Sequence, residues 1–349
     1  MKYSKILQLS AGLILAFAGL YIFFGKTGEG EEAIIPSLIQ EISNKSISAL
    51  LLCAFLSIFV MWLRALRWHI ILPKCEDGAH KNGLFPITTI SFMINNILPA
   101  RLGEAARVIL LWKRNGFPVA TSIGSLIVER ILDVIVFASF FFIPVFLSPK
   151  LAAKLQNDIH PAAMLITIGI AVSIALLVGL LFLYVLKPQW FRKNIGKTGR
   201  FLPSKISAKG QSIGTQLESS LDWIFSKRKV IKITFLSYAV AFCYSIMLIV
   251  LASQWSAFGI LEGMFGQAFA SFGAAIPLTP GYVGTLHAAL KTGLTLTGID
   301  PTKAMAIAVV YHALPFVTVT AAGLFFLFSL NIKFKDITQK PVGVKSEEG

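Results

Sequence analysis

Apolar runs close to the roughly 20 residues that a helix needs to cross a bilayer recur at 6–24, 47–63, 122–147, 162–186, 231–253 and 304–330. This pattern predicts about six full membrane spans. Two further apolar stretches, 84–98 and 264–278, are shorter, and each runs into proline and glycine. They read as broken, re-entrant segments: proline removes a backbone donor, and interrupted helix is tolerated at membrane depth only where protein or a water-filled cavity covers it. The expected fold class is therefore an all-α polytopic membrane protein. Residues 1–349 form one integral membrane domain, divided into a first helix and outer loop (1–46), a first half (47–186), a basic loop (187–232), a second half (233–331) and a tail (332–349). The run at 6–24 sits behind Lys2 and Lys5 as a signal peptide would. Its long core and the lack of a clear small-x-small cleavage site favour a retained helix.

Composition agrees with the pattern. Of 349 residues, 55% are hydrophobic and 14% charged, with a mean hydropathy of +0.73, far more apolar than soluble domains. The formal net charge of +15 points to loops facing anionic lipid, and no nucleic-acid partner is expected. Lysines and arginines crowd 187–232, whereas Glu29, Glu31, Glu32 and Glu41 dominate the first loop and 148–160 is poor in positive charge. Counting spans from the basic loop places both termini in the cytoplasm. The count closes only if each short segment enters and leaves on one side, the first from the cytoplasm and the second from outside. Cys53, Cys75 and Cys243 show no paired spacing, so neither a disulfide framework nor a metal site is expected, and no cofactor.

Aligning "ILPARLGEAARVIL" (97–110) with "LTPGYVGTLHAAL" (278–290) superposes Pro99 on Pro280 and Gly103 on Gly284. Each short segment lies between two full spans whose directions are opposite in the two halves. Together these suggest an inverted repeat of the kind that places a binding site at the meeting point of broken helices.

Polar chemistry clusters at the same places. Asn95 and Asn96 precede the first break, positioned to satisfy freed backbone groups or a ligand. Arg101, Glu104 and Arg107 follow at intervals of three, on neighbouring parts of one helical face. Two cations around one carboxylate at a helix start suit an anion such as phosphate; a snorkelling interfacial helix is the alternative. Glu129, Arg130 and Asp133 lie inside the 122–147 span, where ionised groups cost roughly 2.5–3.5 kcal/mol each and so face a cavity or a partner. Arg130 can reach Asp133, leaving one carboxylate to meet Arg101 or Arg107 or to carry a proton. A buried structural network is equally consistent with the pattern. Pro277, Pro280, Gly281 and Gly284 impose a second turn, followed on one helical face by His287 and Lys291. His287 is either a titrating group or a hydrogen-bonded structural one. Arg64 and Arg67, beside Trp62 and Trp68 at a helix end, read as headgroup anchors.

The order "NNILPARLGEAARVILL", "ERILDVI" and "PLTPGYVGTLHAAL" resembles the lysylphosphatidylglycerol synthase transmembrane-region family, also described as flippase-like membrane proteins, over nearly the whole chain. The resemblance implies a multi-pass protein of the prokaryotic cytoplasmic membrane, with relatives that move or present lipids. By matching positions it implies a shared site of Asn96, Pro99, Arg101, Gly103, Glu104, Arg107, Glu129, Arg130, Asp133, Pro280, Gly281 and Gly284. Relatives often carry a glutamate where this chain has His287, so a role requiring that carboxylate is not carried over. The soluble lysyl-transferring domain of the family's namesake is missing, and aminoacyl transfer is not carried over either.

The leading expectation is translocation of a phospholipid or polyprenyl-linked lipid between leaflets. Arg101 and Arg107 would hold an anionic headgroup, and Glu129, Arg130 and Asp133 would gate the path or couple protons. A membrane-embedded transferase acting on a lipid or lipid-linked sugar, with Glu104, Glu129 or Asp133 as base, is the first alternative. A non-catalytic partner of lipid-biosynthesis enzymes is the second. With no soluble catalytic motif in view, transport is expected over enzymatic activity.

Overall fold

The computed structural model describes residues 46–73, 79–98, 100–158, 226–275 and 279–332. The expected spans at 6–24 and 162–186, nearly all of the basic loop, most of the tail, Pro99 and Pro277 lie outside the described residues. Among the described residues the secondary structure is wholly helical. The elements are α1 (Ile47–Ile71), α2 (Leu84–Ile97), α3 (Leu102–Asn115), α4 (Val119–Leu147), α5 (Pro149–Asp158), α6 (Lys227–Ala252), α7 (Ile260–Ala275), a 3₁₀ turn (Pro280–Tyr282), α8 (Thr285–Leu296) and α9 (Pro301–Ser329). Of these, α1, α4, α6 and α9 are long and apolar enough to cross a membrane. Their starts are legible in the chain: Asp300 caps α9 by accepting from the backbone N–H groups of Thr302 and Lys303, and Pro301 occupies the first turn.

Both short apolar stretches fold as helical hairpins. After α2, Ala100 and Arg101 adopt left-handed backbone with φ of 57° and 53°, which costs about 1–2 kcal/mol per non-glycine residue. This turn reverses the chain and lays α3 back along α2. Gly103 makes the close approach possible, because a Cβ there would lie 1.9 Å from the Ser91 carbonyl oxygen. The second hairpin pairs α7 with α8 in the same way, and a Cβ on Gly273 would lie 2.5 Å from the Thr285 carbonyl oxygen. Between membrane helices, where no hydrophobic drive holds one apolar surface to another, such close backbone approach is a main source of attraction.

The packing of the two halves corresponds element by element. α1 lies against α6, α2 against α9, and α7 against α4. Cys53, early in α1, donates to the Met247 carbonyl late in α6, whereas Arg67, late in α1, reaches Ser237 earlier in α6. The two helices therefore run antiparallel. On the α4–α7 side, Phe141 stacks on Phe265 at 5.4 Å and touches Phe269 and Phe272. On the α2–α9 side, Gly323 admits Met93.

Two sequence expectations need correction here. The apolar run at 47–63 ends at the first arginine, but α1 continues to Ile71 because Arg64 and Arg67 are buried on its inner face. The stretch 148–160, read as a loop, contains α5. Ser148 accepts from the Leu151 backbone N–H, and Pro149 opens the helix, while Leu151 buries against the aromatic cluster.

Candidate functional site

The two hairpin tips meet inside the bundle. Arg101, at the first tip, donates from Nη2 to the Ala274 carbonyl at 2.8 Å, satisfying an oxygen that the end of α7 leaves without a helical partner. Its guanidinium also lies 5.7 Å from the ring of Tyr282, a non-glycine residue with φ of 61° in the second break. Gly281 packs so closely against the Asn96 carbonyl that an added Cβ would sit 2.8 Å from it. Asn95 accepts the Gly103 backbone N–H, and Ser91 donates to the Gly103 carbonyl, both at 2.8 Å. Asn96 donates instead to Phe316 O and Thr320 Oγ1 on α9. The two asparagines thus serve different ends: one closes the first hairpin and the other ties it to the second half.

Among the described residues five arginines and three carboxylates cluster beside these tips, six of them linked through Asp133 and Glu104 and two forming a separate pair. Arg107 binds Glu129 through both terminal nitrogens, at 2.7 and 3.1 Å, and stacks 3.7 Å from the ring of Trp68, whose indole N–H donates to Ser125. Arg67 binds Asp133 at 2.7 Å and Ser237 at 3.1 Å. Arg130 reaches Asp133 at 3.3 Å and Glu104 at 3.6 Å, and Arg101 reaches Glu104 at 3.6 Å. Arg64 lies 3.6 Å from Asp133 and over the ring of Phe92. The Arg107–Glu129 and Arg67–Asp133 pairs are buried, whereas Arg101, Glu104 and Arg130 keep a quarter to a third of their side-chain surface exposed.

A half-enclosed cavity of about 170 Å³ opens between this network and the hairpin tips. Its charged lining comprises Arg64, Arg101, Glu104, Arg107, Arg130 and Asp133, and its apolar lining includes Met61, Phe92, Phe137, Leu286, Phe316 and Val319. Also at the cavity, Tyr311 donates to Gln267, and His312 Nδ1 lies 3.0 Å from His287 Nε2. The Gly284 backbone N–H faces His287 Nδ1 at 3.5 Å, so the histidine pair links the second break to the middle of α9. Among the described residues no group of three or more histidine, cysteine, aspartate or glutamate side chains is arranged to hold a metal ion.

The expected site residues Asn95, Asn96, Arg101, Glu104, Arg107, Arg130 and Asp133 all line the cavity; Glu129 stands behind Arg107, and His287 behind His312. Arg64 and Arg67 are corrected from headgroup anchors to members of the network, with relative exposures of 6% and 0%. Sequence reading also passed over Tyr244, Gln267 and Tyr311. The available signal was the position of polar groups inside spans, where their cost demands a partner; without the fold, nothing says that those partners are one another.

Comparison with known proteins places this architecture in context. The UPF0104 membrane protein MJ1078 of Methanocaldococcus jannaschii is 28% identical over 248 residues, covering 68% of this chain and 95% of that protein. A UPF0104 membrane protein of Methanothermobacter thermautotrophicus is 24% identical over 352 residues, covering 93% and 94%. The glycosyltransferase AglD of Haloferax volcanii is 22% identical over 377 aligned positions, covering 99% of this chain and 58% of that protein. No solved structure matches. The model of the lysylphosphatidylglycerol synthase TM region matches residues 9–323, and this integral membrane protein belongs to that family.

Proposed function

We propose that the protein carries a lipid with a negatively charged headgroup between membrane leaflets. The observation that carries this reading is the cavity, which is lined by both arginines and apolar side chains at the meeting point of two helical hairpins. A headgroup and the start of its chain need those two surfaces side by side. The matched packing of the halves and the antiparallel course of α1 and α6 support an inverted repeat with two re-entrant hairpins, the arrangement that allows alternating access around a fixed site. In this topology about six full spans cross the cytoplasmic membrane, with both termini in the cytoplasm. The ion-paired groups Glu129, Arg130 and Asp133 tie α4 to α1 and α3 within the first half, placed to respond when a headgroup enters.

Leaflet exchange in liposomes, followed with a panel of headgroup-labelled lipids, tests this directly. Arg101→Ala is expected to slow exchange of the preferred lipid by about tenfold or more, the scale of one charge-assisted contact. Arg101 is partly exposed, so the variant should fold. An unchanged rate in the folded variant would falsify the headgroup role of Arg101.

The similarity to AglD favours a second reading, a transferase acting on a lipid carrier. Glu104, whose ion contacts are both at 3.6 Å, is then the available base. A covalent lipid product formed by purified protein from a sugar nucleotide would establish it, and a Glu104→Gln variant that still makes the product would remove that residue from the chemistry.

A further inference from the structure

The arginines around the cavity outnumber its carboxylates. Among the described residues Arg64, Arg67, Arg101, Arg107 and Arg130 face Glu104, Glu129 and Asp133, leaving two positive charges in excess. The lining residues alone, four arginines and two carboxylates, carry the same excess. Arg107 is closed on Glu129 and Arg67 on Asp133, so the surplus resides on Arg64, Arg101 and Arg130, of which Arg101 and Arg130 share Glu104.

Arginine cannot relieve this excess by losing a proton, and an unbalanced cation enclosed by protein is costly. Arg64 shows where the balance is missing. It is 6% exposed, lines the cavity, and among the described residues has no hydrogen-bond partner for Nε or Nη1. Its contact with Asp133, at 3.6 Å, is too long for a hydrogen bond. The rings of Phe92 and Tyr244, at 5.0 and 5.9 Å, hold the guanidinium in place without neutralising it. Among the described residues, Nε of Arg101, Arg107 and Arg130 and Nε and Nη2 of Arg67 also lack a hydrogen-bond partner, but Arg67 and Arg107 each have a carboxylate within hydrogen-bond distance.

We infer that the cavity selects a terminal phosphate bearing two negative charges, a phosphomonoester or diphosphate, over the singly charged phosphodiester of ordinary phospholipids, with Arg64 as a direct phosphate ligand. This inference rests on the reading of the cavity as a headgroup site and names the headgroup class. A phosphomonoester carries close to two charges at neutral pH, and its three terminal oxygens can accept from Arg64, Arg101 and Arg130 together. A phosphodiester has one charge and two such oxygens, leaving one of the three arginines unbalanced. Phe137, Leu286 and Phe316 beside the arginines offer the attached chain an apolar exit.

The test is equilibrium binding to the full-length protein in detergent. The probes are phosphatidic acid and phosphatidylglycerol with identical acyl chains, and inorganic phosphate. Phosphatidic acid is expected to bind about tenfold more tightly than phosphatidylglycerol, on the scale of one added charge in a partly enclosed site. Arg64→Gln is expected to reduce that preference to about twofold, and Arg64→Lys, which keeps the charge but not the fork, to weaken phosphatidic acid binding about threefold. Equal affinity of the wild-type protein for the two lipids overturns the inference without reference to any variant. A folded Arg64→Gln protein that keeps the full preference overturns the role of Arg64. Inorganic phosphate binding as tightly as phosphatidic acid overturns the lipid source and makes a soluble phosphate the ligand. Phosphatidic acid preference without leaflet exchange would sink translocation and leave this inference standing; exchange of phosphodiester lipids without the preference would do the reverse.

Discussion

Glu129→Leu is expected to destabilise the folded protein by about 3–5 kcal/mol, because it removes the carboxylate from a buried ion pair and strands the other charge. Arg107 and Glu129 bond at 2.7 and 3.1 Å with side-chain exposures of 2% and 1%. The guanidinium is almost wholly buried, so water replaces the lost partner poorly. Trp68 covers one face of Arg107 at 3.7 Å and is itself fixed by Ser125, so the side chain cannot swing out to solvent. Arg107→Met should cost a similar amount by stranding Glu129. The double variant Arg107→Met with Glu129→Leu should recover more than half of either loss, since removing both charges also removes their desolvation cost. Unfolding equilibria of the four proteins in mixed micelles measure this coupling. Additive losses in the double variant would mean that the pair does not act as a unit.

The second large effect is expected at the first hairpin. Gly103→Ala places a Cβ 1.9 Å from the Ser91 carbonyl oxygen and within 2.8 Å of the Asn95 side chain. The obstacle is backbone, so a rotamer change cannot relieve it. α3 must move away from α2, and the hydrogen bonds joining Gly103 to Asn95 and Ser91 stretch or break. Overpacking of about 1–3 kcal/mol and the loss of about 1 kcal/mol for each hydrogen bond add to a cost of about 3–5 kcal/mol. Gly83→Ala is the control: nothing lies within 4 Å of its Cβ position and φ is 71°, so only the left-handed backbone term of about 1–2 kcal/mol applies. Thermal unfolding in detergent should separate the two variants clearly, and lipid binding should weaken only in Gly103→Ala because Arg101 moves with the tip. Equal midpoints for the two would show that the hairpins are not in close contact.

Much of the architecture was legible along the chain because a bilayer constrains sequence so strongly. Continuous apolar runs located α4, α6 and α9 to within a few residues, since each span must satisfy its own backbone and present apolar side chains. Proline and glycine marked both breaks, and the groups flanking them, from Asn95 through Arg107 and from Gly281 through His287, stood out by their polarity in apolar surroundings.

Hydropathy misled where a polar residue is buried by partners distant in sequence. Arg64 and Arg67 resembled the end of a span, yet α1 continues through them to Ile71 because Asp133 and Ser237, on two other helices, receive their charge and hydrogen bonds. The amino-acid sequence by itself determined where α4, α6 and α9 run, the two breaks and the surplus of basic residues, because these follow from local apolarity, missing backbone donors and composition. Only the tertiary structure decided that the two breaks meet, that Glu129 closes on Arg107, and that Arg64 is left with unused donors facing a cavity. Those outcomes depend on which helices pack together, and pairwise distances between remote charges carry no signature in the local pattern of either segment.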